Sequence, residues 1–204
     1  MPRRRSRIPL EFTPEGVVLA YRHAVFPMAI HDPEGVEEIG WFRPDPRTII
    51  PLNGFHLSRS LAKVIRQHVF EIRIDTDFEG VMRGCADRDE GTWISDDFIH
   101  LYGELHRRGI AHSVETWRDG KLVGGTYGLA IGAAFMAESM FHYETNASKV
   151  ALWGLVEQLK ARGFALLDVQ YLTSHLESLG AIEIPGALYY EALQQVVDVP
   201  RCFA

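Results

Sequence analysis

The chain has 204 residues, of which 47% are hydrophobic, and carries a formal net charge of −6 at pH 7. This length and composition suit one domain, or one domain with a small appendage, that buries an apolar core. They exclude a membrane span, because no apolar run is long enough, and a disulfide or zinc framework, because Cys85 and Cys202 lie far apart without ligand spacing.

A small, irregular N-terminal module is predicted over residues 1–50. Its basic first residues are not followed by the apolar core of a signal peptide, so we expect a cytoplasmic protein without a membrane partner. Residues 11–29 contain a helical pattern that ends at Pro27, and three prolines between residues 41 and 51 exclude a long regular element there. A second, larger domain is predicted over residues 51–204.

A short basic helix is predicted over residues 56–68. Arg59, Lys63 and Arg66 are spaced so that they share one face of that helix. This face is either simply solvated or a surface that binds phosphate groups, as in a nucleic acid. A slight excess of basic residues in the first 70 positions, 10 Lys and Arg against 7 Asp and Glu, is compatible with the second interpretation.

The rest of the chain predicts a mixed α+β layout. A hairpin is the clearest element, because Asp119-Gly120 separates two apolar runs. The predicted elements are a strand at 70–74, helices at 78–85 and 96–108 (the latter capped by Ser95), hairpin strands at 111–117 and 122–130, a strand at 132–141, a helix at 146–162 ended by Gly163, a strand at 165–171 and a short helix ended by Gly180.

The strand at 165–171 carries two polar side chains where a buried strand should be apolar. Asp168 and Gln170 are two residues apart and therefore point to the same face. Glu138, at the end of another apolar run, is a third polar group of this kind. Each group needs a hydrogen-bond partner. That partner is either an internal network or a bound substrate such as an amine, and the pattern alone leaves both open.

Ten or so motifs, in order over residues 41–202, resemble the leucyl/phenylalanyl-tRNA-protein transferase family. They are Trp41-Phe42-Arg43-Pro44-Asp45-Pro46-Arg47, His56-Leu57-Ser58-Arg59-Ser60, Glu90-Gly91-Thr92-Trp93-Ile94, Ala111-His112-Ser113-Val114-Glu115, Leu122-Val123-Gly124-Gly125, Glu138-Ser139-Met140-Phe141, Asn146-Ala147-Ser148-Lys149, Asp168-Val169-Gln170, Ser178-Leu179-Gly180-Ala181 and Val199-Pro200-Arg201-Cys202.

The resemblance implies a GNAT-like acyltransferase domain preceded by a small N-terminal domain. It implies an enzyme without a cofactor or a metal that moves Leu, Phe or, less well, Met from aminoacyl-tRNA onto the N-terminal Arg or Lys of acceptor proteins. Such transfer marks the acceptor for degradation by the N-end rule. The basic helix face would then contact tRNA.

The resemblance also implies the site. Gln170, oriented by Asp168, would act on the attacking amine, while Glu138 and Asp168 would hold the cationic end of the acceptor. Four positions match the apolar pocket of the family, although for each one taken alone ordinary core packing is the more common explanation: Trp93, Thr126, Phe135 and Leu167. Strict alternation places Phe135 and Glu138 on opposite faces, so both can line one site only if a bulge lies between them.

Two other function classes compete with this one. An acyl-CoA N-acyltransferase is disfavoured, because the turn at residues 144–149 lacks the glycines that would expose backbone N–H groups to a pyrophosphate. A non-catalytic module that binds basic N-termini or tRNA is disfavoured by the presence of all three polar site residues. The chain also departs from the family: Met28 replaces a Trp that resembles the stacking platform of the terminal adenosine, and Ala137 replaces a Gly.

Overall fold

The computed structural model of the chain describes residues 10–31, 34–88 and 91–204. The helices are α1 (Pro14–Arg22), α2 (Arg59–Arg66), α3 (Phe78–Ala86), α4 (Asp96–Arg107), α5 (Ala147–Ala161), α6 (Ser174–Glu177) and α7 (Gly186–Val196). The strands are β1 (Phe26–His31), β2 (Glu37–Phe42), β3 (Arg47–Ile49), β4 (Glu71–Ile74), β5 (Ala111–Arg118), β6 (Lys121–Ile131), β7 (Ala134–His142), β8 (Leu166–Gln170) and β9 (Ile182–Ile184).

A seven-stranded mixed sheet, in the order β4-β5-β6-β7-β8-β3-β9, forms the centre of the described chain. β7 and β8 run parallel, and the other neighbouring pairs in this sheet are antiparallel. A parallel pair needs a crossover connection, which α5 supplies. Strands β1 and β2 form a separate antiparallel hairpin. The mixed α+β architecture predicted from the sequence is confirmed.

Helices cover both faces of the sheet, because successive strand residues point to opposite sides. On β7, Ala134 and Met136 join a core cluster with α1, α3, α4 and α7, whereas Phe135 and Ala137 join a second cluster with α2 and α5. We call these the first and second clusters. Among the described residues, no helix is both long and apolar enough to cross a membrane.

The predicted N-terminal helix is too long. Helix α1 ends at Arg22, and Pro27, taken from the sequence as the helix end, lies in β1 opposite Trp41 of β2. Ala24 adopts a left-handed conformation (φ 62°), which turns the chain out of the helix and into the strand. Pairing with β2 therefore decides the structure of residues 26–29, and that pairing is not visible in a local pattern.

Strand β3 joins the first fifty residues to the large sheet. Thr48 and Ile49 pair with β8 on one side, and all three residues of β3 pair with β9 on the other. The division into modules at residue 50 remains a prediction, but the last strand before that boundary is an internal strand of the sheet. Its side chains are consequently placed beside the polar strand β8.

The elements predicted between residues 70 and 180 match the structure closely, whereas β9 and α7, which follow Gly180, were not predicted from the sequence. The hairpin turn has positive φ at Asp119 (50°) and Gly120 (73°), as a two-residue turn of this kind requires. Gly163 follows α5 with φ 72°, which is typical of a helix end. Ser95 precedes α4 as predicted, but its hydroxyl makes no capping bond.

A tight contact at Gly180 holds the segment before α2. Gly180 has φ +96°, and a Cβ atom there would collide with the carbonyl oxygen of Gly54. Gly109 has a similar φ of +70° but nothing within 4 Å of its virtual Cβ. Both glycines therefore adopt a positive φ, but only Gly180 has another backbone atom where a Cβ atom would lie.

We predict that Gly180→Ala lowers the free energy of unfolding by about 3 kcal/mol and Gly109→Ala by about 1 kcal/mol. Both changes strain a left-handed residue, but only the first must also displace backbone. Urea unfolding monitored by circular dichroism measures both values. Equal losses in the two variants would contradict the proposed crowding at Gly180.

Candidate functional site

Strands β7 and β8 separate at the point where the polar side chains lie. Their parallel register runs from Ala134↔Leu166 to Met136↔Asp168. Just beyond it, β7 bulges, because Ala137 and Ser139 pair with consecutive residues of β6 and leave Glu138 unmatched. On the other strand, Gln170 has φ +57°. The Gln170 Nε2 atom donates a hydrogen bond to Glu138 Oε1 (3.2 Å) across the gap.

Asp168 is completely buried and has its hydrogen-bonding capacity filled. Arg47 Nε donates to its Oδ1 (2.8 Å) and Arg47 Nη2 to its Oδ2 (2.5 Å). The Tyr189 hydroxyl also donates to Oδ2 (2.8 Å), and the Gln170 backbone N–H to Oδ1 (3.0 Å). The sequence-based expectation that Asp168 holds a cationic acceptor is therefore corrected, because its charge is already paired within the protein.

Arg47 is the partner that sequence analysis missed. Only 1% of this residue is exposed, and its guanidinium lies 4.9 Å from the ring centre of Phe26 and 4.7 Å from that of Tyr189. Burial alone would lower the pKa of Arg47, but the charge and hydrogen bonds of Asp168 raise it above its usual range. Arg47 is therefore a permanent cation. The one sign of Arg47 in the sequence was indirect: a buried Asp168 carboxylate needs a cation or hydrogen-bond donors beside it.

Glu138 lies in a different environment, against the hydroxyl groups of Tyr21 and Tyr102, which are themselves 3.1 Å apart. Burial raises the pKa of Glu138 to about 8, and the nearby charge of Asp168 adds to the rise, while hydrogen bonds from both tyrosines oppose it. Glu138 is only partly buried, and its carboxyl group takes up a proton more readily than an exposed glutamate does. The hydroxyl of Tyr127, whose ring meets that of Tyr102 edge-on, is buried without a partner among the described residues.

The four predicted pocket residues do not form one surface. Phe135 and Leu167 pair across β7 and β8 and are buried in the second cluster. Trp93 packs in the first cluster, edge-on to Phe98 at 5.3 Å. Thr126 donates its hydroxyl hydrogen to the Ser139 carbonyl (3.0 Å). The bulge that the pocket hypothesis requires is present in β7 at Glu138. Phe135 nevertheless packs in the second cluster and does not face the gap beside Glu138.

The predicted basic face is present on α2. Arg59, Lys63 and Arg66 are exposed, and the helix packs on α5 through the buried Leu61, on the second-cluster side of the sheet. The structure therefore does not bring these three side chains to Glu138. The basic residues within positions 1–9, and Glu90 of the third motif, lie outside the described residues.

An exposed aromatic ring lies next to the gap and was not predicted from the sequence. Tyr171 follows Gln170, is 47% exposed, and meets the ring of Phe26 edge-on at 5.9 Å. Met28, which stands where a Trp was expected, lies on the neighbouring strand β1 opposite Gly40. No local pattern distinguishes an exposed aromatic residue at a strand end from a buried one.

Comparison with known proteins identifies the family of the chain. A family model described as leucyl/phenylalanyl-tRNA protein transferase matches residues 49–194, and the model of its N-terminal domain matches residues 11–45. The chain belongs to this family. The leucyl/phenylalanyl-tRNA--protein transferase of Rubrobacter xylanophilus is 50% identical over 196 residues, which cover 96% of this chain and 100% of the relative.

A second relative gives the same result. The leucyl/phenylalanyl-tRNA--protein transferase of Herpetosiphon aurantiacus is 48% identical, over 94% of this chain and 97% of its own. A solved ribosomal-protein-alanine N-acetyltransferase from Brucella melitensis is more distant, with 15% identity, a TM-score of 0.38, and coverage of 64% of this chain and 95% of its own. Membership of the leucyl/phenylalanyl-tRNA protein transferase family makes the chain an aminoacyltransferase and confirms the resemblance inferred from the motifs.

The raised pKa of Glu138 predicts how stability depends on pH. Between the unfolded pKa near 4.5 and the folded value of about 8, the folded chain holds a proton that the unfolded chain releases. This contribution to stability is fully present below the unfolded pKa and is lost as the pH rises towards 8. Glu138→Gln imitates the protonated acid and cannot lose a proton.

We therefore expect the unfolding free energy of Glu138→Gln, relative to the unmodified chain, to increase between pH 5 and pH 8, by at most about 1.4 kcal/mol per pH unit. Urea titrations at each pH measure this difference. Ser139→Ala is the control, since it changes the next residue without removing a titrating group, and its stability should run parallel to that of the unmodified chain. A constant difference for Glu138→Gln would show that Glu138 is ionised throughout.

Proposed function

We propose that the chain transfers Leu, Phe and, less well, Met from aminoacyl-tRNA to the N-terminal Arg or Lys of cytoplasmic proteins and so marks them for N-end rule degradation. The observation that carries this proposal is the hydrogen bond between Gln170 and the protonatable Glu138 in the gap between β7 and β8. Family membership supports the donor, and the chemistry of the gap supports the acceptor.

The reaction is the attack of a neutral α-amine on an aminoacyl ester. A C–N bond forms, the bond to the ribose oxygen breaks, and the amine proton must finally reach that oxygen. Such a reaction gains most from orientation of the amine and from hydrogen bonds to the developing oxyanion. Gln170 can orient the amine through its side-chain oxygen while its Nε2 donates to Glu138. An amide is a poor base, so the proton leaves through water or the ribose hydroxyl.

Glu138 is the carboxyl group that we assign to the acceptor's cation. Asp168 is already neutralised by Arg47, whereas Glu138 contacts tyrosine hydroxyls and the Gln170 amide. A guanidinium or ammonium beside Glu138 would favour the ionised carboxylate and take the place of its proton. The unpartnered Tyr127 hydroxyl offers a further hydrogen bond in the same region.

This assignment predicts selectivity between peptides that begin with Arg and matched peptides that begin with citrulline, a neutral isostere with the same α-amine. Glu138→Gln should raise the KM for the Arg peptide about tenfold, because the variant cannot make a charge-assisted hydrogen bond to the guanidinium. The same change should alter the KM for aminoacyl-tRNA by less than about twofold, since only the acceptor contact changes. Steady-state transfer assays with labelled phenylalanyl-tRNA measure each value.

Asp87→Asn is the matched control. It also removes one carboxylate on the α3 side of the sheet, where the Asp87 Oδ2 atom accepts a hydrogen bond from the exposed Tyr143 hydroxyl (3.2 Å). This control should keep the preference for Arg. Equal use of both peptides by the unmodified enzyme would remove the reason for placing a cation at Glu138.

The α2 face is the proposed contact for the phosphates of the donor tRNA. Arg59, Lys63 and Arg66 are exposed, and no ion pair engages them among the residues that the structure describes. A phosphate contact releases condensed counterions, so its contribution to binding is visible in the salt dependence. A merely solvated face would make no such contribution.

We predict that Arg59→Gln combined with Lys63→Gln weakens tRNA binding and lowers the slope of log affinity against log salt by about 1 for each phosphate that is no longer neutralised. Filter binding between low and moderate salt measures the slope. Arg107→Gln combined with Lys121→Gln removes the same charge away from α2 and should leave the slope almost unchanged. If both double variants lower it equally, the effect is one of net charge and not of the α2 face.

A further inference from the structure

The backbone of Gln170 is in an unfavourable conformation that the surrounding contacts must hold. Its φ of +57° lies in the left-handed region, which residues with a Cβ atom rarely occupy. The Gln170 N–H donates to Asp168 Oδ1 (3.0 Å), which fixes the strained residue at its amide. The Tyr171 N–H donates to the Val169 carbonyl oxygen (2.7 Å), and this second bond closes the turn around Gln170. The direction of the Gln170 side chain, and hence its contact with Glu138, depends on that backbone.

The oxygen that holds Gln170 is itself fixed by Arg47. Arg47 Nε donates to Asp168 Oδ1, and Nη2 donates to Oδ2, so the planar guanidinium engages both carboxylate oxygens. A two-point contact of this kind prevents the carboxylate from rotating, which a point charge such as an ammonium cannot do. The position of Oδ1 therefore follows the position of Arg47.

Arg47 is held in turn by the N-terminal residues and by α7. Its Nη1 donates to the Ala24 carbonyl oxygen (3.3 Å), and its guanidinium lies between the rings of Phe26 and Tyr189. It is too deeply buried to touch a substrate.

We propose that Arg47 is a positioning residue for the transfer reaction, which sets the orientation of the Gln170 amide through the carboxylate of Asp168. The kinetic part of this inference rests on the proposed function, whereas the geometric part does not. The competing explanation is that the Arg47–Asp168 pair only stabilises the fold. Arg47→Lys separates the two, because it keeps the cation and removes the two-point geometry.

The first measurement follows the side-chain amide of Gln170 by nuclear magnetic resonance in the 15N-labelled chain. Arg47→Lys should shift or broaden the two Gln170 amide signals. The Gln158 amide, which donates to the Phe203 carbonyl, should not change. Arg22→Lys is the matched control, because Arg22 pairs with Asp198 and also ties α1 to the C-terminal segment. Unmoved Gln170 signals in Arg47→Lys would overturn the proposal.

The second measurement is a double-mutant cycle. Arg47→Lys should lower kcat about tenfold, as changes to the supporting contacts of functional groups commonly do, with both KM values within about twofold. In a Gln170→Ala background the same change should cost almost nothing, because the group it positions is absent. Equal losses in both backgrounds would assign Arg47 a structural role only.

Two further outcomes are decisive. If Arg47→Lys does not fold, Asp168→Asn replaces it, since this variant keeps the side-chain size and removes one of the two oxygens that Arg47 engages. Its Gln170 signals should move in the same way, and unmoved signals would again overturn the proposal. If the unmodified enzyme transfers nothing, the proposed function fails, while the resonance measurement still decides whether Arg47 orients Gln170.

Discussion

The Arg47 guanidinium and the Asp168 carboxylate are both removed from water, and each is tolerated there only because of the other. Taking two charges out of water costs several kcal/mol for each ion, and the cost is offset only when the geometry is good and the remaining donors and acceptors are used. Asp168 meets that condition with four hydrogen bonds. Strands β3 and β8 and helix α7 must therefore meet in one arrangement, and the placement of Gln170 depends on it.

The two carboxyl groups of the gap consequently have different properties. Asp168 is paired with the buried guanidinium of Arg47. Burial and the charge of Asp168 raise the pKa of Glu138 to about 8, so its charge can change when a cation arrives. A site in which one carboxyl group is paired within the protein and the other is not can hold its own geometry in the absence of substrate and still bind a cation.

Local patterns were sufficient where the structure depends on neighbours in sequence. The Asp119-Gly120 turn, the end of α5 at Gly163 and the shared face of the polar residues of β8 all follow from turn chemistry, helix-end signals or alternation. Arg47 was missed because its partner is 121 residues away and an isolated arginine gives no sign of burial. The predicted pocket residues Trp93 and Phe135 do not form one surface for a similar reason. Which face of the sheet each side chain packs against depends on residues that are distant in sequence.

The order in which the chain is synthesised gives the Arg47–Asp168 pair another consequence. Arg47 and its Ala24 contact leave the ribosome long before Asp168, and the Tyr189 hydroxyl and ring follow Asp168. Contacts between residues so far apart in sequence form late and slowly. A nascent chain that ends before α7 would hold an incompletely bonded Asp168 carboxylate, so the geometry around Gln170 is complete only after α7 has been synthesised.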